Sequence, residues 1–396
     1  MRILLLSNKS PWPPKDGGAA ATLTTIQGLA SCGATVTVLA LNTHKHLVRR
    51  KNIPAEFTVN PEIKLVIHDT GTKPLQLLKN LLFSDKPYTM ERFESEEFRK
   101  ALSVIGNKYD IIQIEGLAMT RYVPYIRKLT DSRIIFRPHN IENQIWTQLA
   151  GEEKSLLKRT YFRIIASRTA EIEKKILNDF DGISAFTQED LDWFRASGLK
   201  KPSVVCPAGF PLSETEFNEG KDNELFFIGS LDWLPNINGL RWFLEKVWPY
   251  VSESRPEATL HIAGRNPSSR VKEMCICKAV DFHGEVESSS DFIRDKQIMI
   301  VPLFSGSGLR MKIIEGMNMG KSIVATPAAV KGTICHDRED IFIGRDAHEF
   351  ARCIISLLDN KAMRKETGIR AMENVRKNYN IFASAEKMMN FYSQLT

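Results

Sequence analysis

No stretch of this sequence approaches the roughly 18 consecutive apolar residues that a spanning helix needs, so no ordinary transmembrane helix is expected. The start, MRILLLSN, holds five apolar residues before KSPWPPKDGG. That is too short for the apolar core of a signal peptide and carries no cleavage-like site, so it reads as a first strand. Cysteine is sparse: Cys32, Cys206, Cys275, Cys277, Cys335 and Cys353 include no CxxC pair. This argues against a disulfide framework or a zinc knuckle and for incidental thiols in a reduced cytoplasm, with Cys275 and Cys277 in VKEMCICKAV on a helix. No DxD-like or His/Cys cluster has ligand spacing, so no metal is expected. GMNMGKS, from Gly316 to Ser322, resembles a phosphate loop, but it has three residues between its glycines where that loop needs four. It also closes a helix before a strand instead of following one, which excludes it as an ATP site. No RNA- or DNA-binding module or base-stacking aromatic pattern accompanies the basic residues, so nucleic acid is not an expected partner.

What the chain does have is length and rhythm. Its 396 residues exceed one ordinary core and suit two domains. RILLLSN, the helical AAATLTTIQGLASCG, TVTVLAL, EIKLVIHD, DIIQIEG, RIIFRPH and DGISAFT alternate strands with helical segments. PSVVCPAGFPLSETEFNEGKDN breaks the pattern, and ELFFIGS opens a second series through TLHIAG, DFHGE, QIMIVPL, SIVATP and DIFIGR. Such alternation implies parallel sheets with helices on both faces, and two of them in tandem put a ligand crevice at their strands' carboxyl ends.

Charge is unevenly spread within a net +7: 30 Lys and Arg face 22 Asp and Glu through Val205, against 24 and 25 thereafter. Lys154, Lys158, Arg159, Arg163 and Arg168 fall on one helix whose other face carries Leu156, Leu157, Tyr161, Phe162, Ile164 and Ile165. Such a helix can rest on an anionic membrane surface; the plainer alternative is a docked helix with a solvated basic face.

The most informative stretch is Gly306 to Gly320, GSGLRMKIIEGMNMG. It follows the buried strand QIMIVPLF, so the free N–H groups at the helix start suit a diphosphate, and Arg310 and Lys312 add positive charge. Glu315, three residues beyond Lys312, shares its helical face and can accept two hydroxyl hydrogen bonds from a ribose. The plainer reading is an ordinary strand-to-helix connection.

Four segments resemble the retaining GT-B glycosyltransferases of family 4: SNKSPWPPKDGGAAATLTTIQGLASCGATVTVLAL, FRPHNIENQIW, VVCPAGFPL and GSGLRMKIIEGMNMGKSIVATPAAVKG. GSLDWLPNINGLRWFLEKVWP is similar to a bacterial surface-polysaccharide subgroup. The resemblance implies an α/β, GT-B fold of two doubly wound, Rossmann-like domains facing a central cleft. It places an acceptor-binding domain at 1–205, a linker at 206–222, a nucleotide-sugar-binding domain at 223–378, and at 379–396 a terminal helix crossing back to the first domain. That helix has an apolar face of Met388, Met389, Phe391, Tyr392 and Leu395.

The resemblance also implies roles. His139 would contact the transferred sugar, Arg310 and Lys312 would stabilise the leaving diphosphate, and Glu315 would hold the ribose. Gly17 and Gly18 would let a loop approach the phosphates. Gly306, Ser307, Gly308, Leu309, Ser230, Gly264, Gly284 and Val286 would complete the donor site, with Asp16 and Asn140 on the acceptor side. Two departures stand out. Ser307 occupies the position of the first glutamate of the family's paired-glutamate motif, and Ser230 and Asn236 stand where a phosphate-binding arginine and lysine are common. With no matched nucleophile, and Glu115 in QIEGL without a role, front-face attack with retention is expected. The implied activity is a metal-independent, cofactor-free transfer of a hexose-type sugar from a nucleoside-diphosphate sugar to a glycan, lipid-linked or free, in polysaccharide biosynthesis. A cytoplasmic location, with contact at the inner face of the membrane, goes with it. A sugar-nucleotide epimerase and a non-catalytic nucleotide-sugar-binding scaffold are the alternatives.

Overall fold

A computed structural model describes residues 1–44, 47–104, 108–212, 217–305 and 308–396. It divides into two compact units. The first comprises Met1–Gly209, Ser307–Leu309 and Ile381–Thr396, the second Phe210–Gly306 and Arg310–Asn380.

In the first unit, β1 (Arg2–Ser7), β2 (Thr35–Thr43), β3 (Glu62–His68), β4 (Ile111–Glu115), β5 (Arg133–Arg137), β6 (Gly182–Ala185) and β7 (Ser203–Val205) form a sheet in the order β3-β2-β1-β4-β5-β6-β7. Every pairing is parallel. The central strands are apolar without alternation because both faces are covered: Ile3 and Leu5 belong to one buried cluster, Leu4 and Leu6 to another. β7 lies inside PSVVCPAGFPL, so the break in the strand–helix rhythm begins after a last edge strand. The sheet reverses direction of winding between β1 and β4, and a doubly wound sheet binds ligands at that switch, off the carboxyl ends of its strands.

The terminal helix Ile381–Ser393 is part of this unit's core. Met388, Phe391 and Tyr392 are buried with Ile3, Leu5 and Val38. A Cβ on Gly28 would stand 2.9 Å from the Ala385 Cβ, and one on Gly182 2.7 Å from Cζ of Phe391, so glycine at both positions is what lets the helix approach.

The second unit repeats the plan. β8 (Glu224–Ile228), β9 (Thr259–Ala263), β10 (Val280–Gly284), β11 (Ile298–Val301), β12 (Ser322–Ala325) and β13 (Phe342–Ile343) run parallel in the order β10-β9-β8-β11-β12-β13, with the switch between β8 and β11. One expectation is corrected: the helix near the paired cysteines is Ser269–Met274, so Cys275 caps it and Cys277 lies beyond its end.

Candidate active site

In the first unit, chemistry collects at the carboxyl ends of β1, β4 and β5. Glu115 is the last residue of β4 and is fully enclosed; His139 follows β5 by two residues. The Glu115 Oε2 lies 2.5 Å from His139 Nε2 and 3.3 Å from the Thr22 hydroxyl, while its other oxygen accepts from the Gln113 amide. Tyr392 of the terminal helix donates its hydroxyl to Gln113 in turn. Burial alone would raise the Glu115 carboxyl, but the hydrogen bond and charge of His139, with Arg137 and Gln113, outweigh it and hold its pKa below the usual range. Glu115 is therefore a carboxylate, which can only accept, and the proton of the shared bond sits on His139 Nε2. Nδ1 of His139 lies 3.1 Å from where a Cβ on Gly18 would stand. The ring packs edge-on against Phe186 at 5.4 Å, and Arg137, buried on the same ring, donates to Ser184 Oγ and the Cys206 carbonyl. This network fixes the orientation of His139 and keeps a proton on its Nε2.

Asp16 accepts from the Ala19 N–H at 2.9 Å and caps the helix Gly17–Ser31. It also binds Lys9 Nζ at 2.6 Å. Gly17 and Gly18 thus open the helix's first turn instead of lying in a loop. A Cβ on Gly18 would meet both His139 Nδ1 and, at 3.2 Å, Lys9 Nζ. Asn140 follows His139 directly, just before the helix Glu142–Glu152.

In the second unit, the helix Met311–Asn318 follows β11, with Arg310 in the cap position and Lys312 and Glu315 on its first turns. Lys312 Nζ binds Glu315 Oε2 at 2.7 Å, and Ser289 Oγ donates to the other oxygen at 2.7 Å. The residues just before Arg310, Gly308 and Leu309, belong to the first unit, and Gly308, with φ of +79°, takes a backbone conformation that favours glycine. Gly306 and Ser307 lie outside the described residues. Across the switch, Ser230 follows β8; its carbonyl accepts from Asn236 Nδ2 at 2.9 Å and its hydroxyl from Arg265 Nη2 at 3.4 Å. A Cβ on Gly264 would fall 1.8 Å from the Gly229 carbonyl oxygen, so β8 and β9 exit with their backbones in close contact. Gly284 ends β10 with φ of +66°, and Val286 lies half-buried in the loop after it.

The structure therefore brings Arg310, Lys312 and Glu315 together after β11, and Ser230 and Gly264 together at the ends of β8 and β9. It sets Lys321 apart: buried before β12, its ammonium donates to the carbonyls of Asn218 and Arg294, and burial lowers its pKa to about 8. GMNMGKS is accordingly a helix end tied to backbone. Sequence reasoning missed three residues. Arg265 supplies a guanidinium beside Ser230, where the family arginine is absent, and could have been found as the residue after the strand-end glycine in TLHIAGR. Lys9, seven residues before Asp16, carries no sequence signal. Glu115 ends a strand of unbroken burial, and a carboxylate there is itself a signal, since burying a charge demands a partner.

The sheet orders and paired units define the GT-B fold. Residues 222–360 match the family described as "Glycosyl transferases group 1". Sucrose-phosphate synthase from Thermosynechococcus elongatus is similar in structure (TM-score 0.74, 16% identity, covering 100% of this chain and 99% of that one). HepE of Anabaena, solved with UDP and glucose, is similar with a TM-score of 0.70 at 13% identity, over 100% of both chains. In sequence, an "uncharacterized 44.6 kDa protein in cps region" of Klebsiella pneumoniae is 25% identical over 98% of this chain and 99% of its own length. These likenesses show the GT-B fold over the whole chain and a match to the glycosyl transferases group 1 family over residues 222–360, within the second half of the chain.

Proposed function

We propose that this chain is a retaining, metal-independent transferase that moves a hexose-type sugar from a nucleoside-diphosphate sugar to a hydroxyl of a growing, lipid-linked glycan in polysaccharide assembly. The observation that carries the reading is the Lys312–Glu315 pair, with Ser289, on the helix that follows β11 inside the group 1 domain. A ribose with two adjacent hydroxyls suits that carboxylate. A diphosphate suits the start of the same helix, where backbone N–H groups and the side chains of Arg310 and Lys312 offset its charge. Arg265 beside Ser230 adds charge that the sequence departure at Ser230 removes. The setting in polysaccharide assembly draws on the cps-region relative, and a UDP-type donor on HepE, which was solved with UDP and glucose.

In this reading the bond between the anomeric carbon and the phosphate oxygen breaks as the acceptor oxygen forms its own bond on the same face. The acceptor proton passes to the departing phosphate oxygen, so the protein supplies positioning and charge. His139 orients the sugar and Glu115 holds His139, a positioning role: buried, and with both oxygens already bonded to His139, Thr22 and Gln113, Glu115 is poorly placed to act as a nucleophile. A thermal-shift series across UDP, GDP, ADP and dTDP tests the donor half. One nucleotide at 100 times its dissociation constant stabilises by about 2.7 kcal/mol. Equal, negligible shifts for all four, or a shift unchanged in Glu315→Ala, would count against it.

A further inference from the structure

The helix Pro74–Phe83, PLQLLKNLLF, is amphipathic in the reverse sense. Leu75, Leu78, Leu82 and Phe83 recur at helical spacing, and their exposures are 84%, 55%, 64% and 81%. Its inner face is held by polar bonds. The buried Asn80 donates to the Lys86 carbonyl and to Glu91, Ser84 donates to Glu91, and Arg168 reaches the carbonyls of Asn80 and Leu81. The apolar stripe is thus turned outward by a built framework. An exposed apolar stripe of this kind marks an interaction surface.

Arg168 lies on the helix Leu156–Ile176, so the two helices are joined. From residue 154 to 168 that second segment has five basic residues and no Asp or Glu, and Leu156 and Leu157 are exposed among them. The first adds exposed Lys79 on the stripe itself; at its ends Lys73 pairs with Asp69 at 3.3 Å and Lys86 follows exposed Asp85, so the excess positive charge comes from Lys79 and the second segment. Apolar side chains set among exposed positive charge complement one surface in particular, an anionic bilayer whose headgroups pair with lysine while leucine and phenylalanine enter the acyl boundary. A second copy of this chain would bring the same positive charge against itself. Among the described residues no helix is long and apolar enough to cross a membrane.

We propose that the Pro74–Phe83 helix, together with the basic start of the Leu156–Ile176 helix, docks the first unit on an anionic lipid surface. This deepens the reading above, resting on it for a lipid-borne acceptor, yet it is testable without transfer. The intact protein is floated with phosphatidylglycerol-rich vesicles and, separately, with phosphatidylcholine vesicles. Wild type is expected to float with the anionic vesicles and to be released by high salt. Leu78→Asn with Leu82→Asn should lose at least about tenfold in partition at an unchanged melting temperature, and each of Lys79→Gln and Lys158→Gln about fivefold. No flotation of wild type, equal flotation of the double variant, or a dimer that the double variant dissociates would overturn the proposal. Transfer to a soluble acceptor without vesicle binding would sink this docking and spare the transferase reading. Vesicle binding with no transfer would do the opposite.

Discussion

Replacing Glu115 by Gln tests the link from fold to chemistry at one atom. Thr22, Gln113 and His139 all direct donors at this side chain. A carboxamide keeps the volume but turns two of its own hydrogens into that ring of donors. If its NH2 faces His139, the proton there moves to Nδ1, the nitrogen beside Gly18; if it faces Gln113, the bond to Tyr392 is disturbed. A hydrogen bond to a charged group contributes about 1.5–3 kcal/mol, so loss of the oriented histidine should lower kcat about ten- to a hundredfold. The mismatch of donors should also lower stability, and a melting curve separates that loss from the loss of rate; the apolar faces of the sheet are untouched, so the fold should survive. Initial rates at saturating acceptor give the activity, and nitrogen chemical shifts of His139, assigned by comparison with His139→Asn, give the tautomer. Rates within threefold of wild type, with Nε2 still protonated, would refute the positioning argument.

Lys312→Ala and Arg310→Ala should each cut turnover by about a hundredfold or more, as loss of a group facing developing charge does, while Glu315→Ala should mainly raise KM for the donor; steady-state kinetics separates the two patterns. Glu142 and Glu173 have pKa values raised to about 7, first by burial, then for Glu142 by the neighbouring Glu173 charge. A carboxyl raised in the folded state contributes its full stability below the unfolded value near 4.5 and loses it as pH rises through about 7. The melting temperature should therefore fall between pH 5 and 8, by an amount on the order of a few kcal/mol in stability, and Glu142→Gln should flatten that slope. Tyr392→Phe should cost about 1–3 kcal/mol, because it orphans a buried Gln113 oxygen, and denaturant unfolding measures it directly.

The strand series was legible because parallel strands covered on both faces must be apolar throughout, as RILLLS and ELFFI are. The sequence also placed Lys312 and Glu315 on one helical face, since i and i+3 on a helix are neighbours, but it read them toward phosphate and ribose separately, and their ion pair is what the structure adds. Less legible was anything that depends on two distant segments meeting. Arg265 reaches Ser230 only because β8 and β9 exit in contact, and Lys9 matters only because the helix cap at Asp16 brings it beside Gly18. Gly17 and Gly18 read as a loop because glycine disfavours helix interiors; Asp16 as the capping residue overrides that in the first turn. The outward stripe of Pro74–Phe83 was illegible for a different reason. Periodicity reports which residues share a face, and only Asn80 and Arg168 tell which face turns inward.

Sugar transfer itself is read most directly by product analysis. Purified protein is incubated in EDTA with each nucleoside-diphosphate sugar and a glycan acceptor, and the mixture is resolved by mass spectrometry and NMR. Nucleoside diphosphate and glycosylated acceptor are expected in equal amounts, with the donor's anomeric configuration kept and no metal required. A nucleotide sugar epimerised without acceptor, an inverted linkage, or donor bound and returned unchanged under all conditions would contradict this expectation.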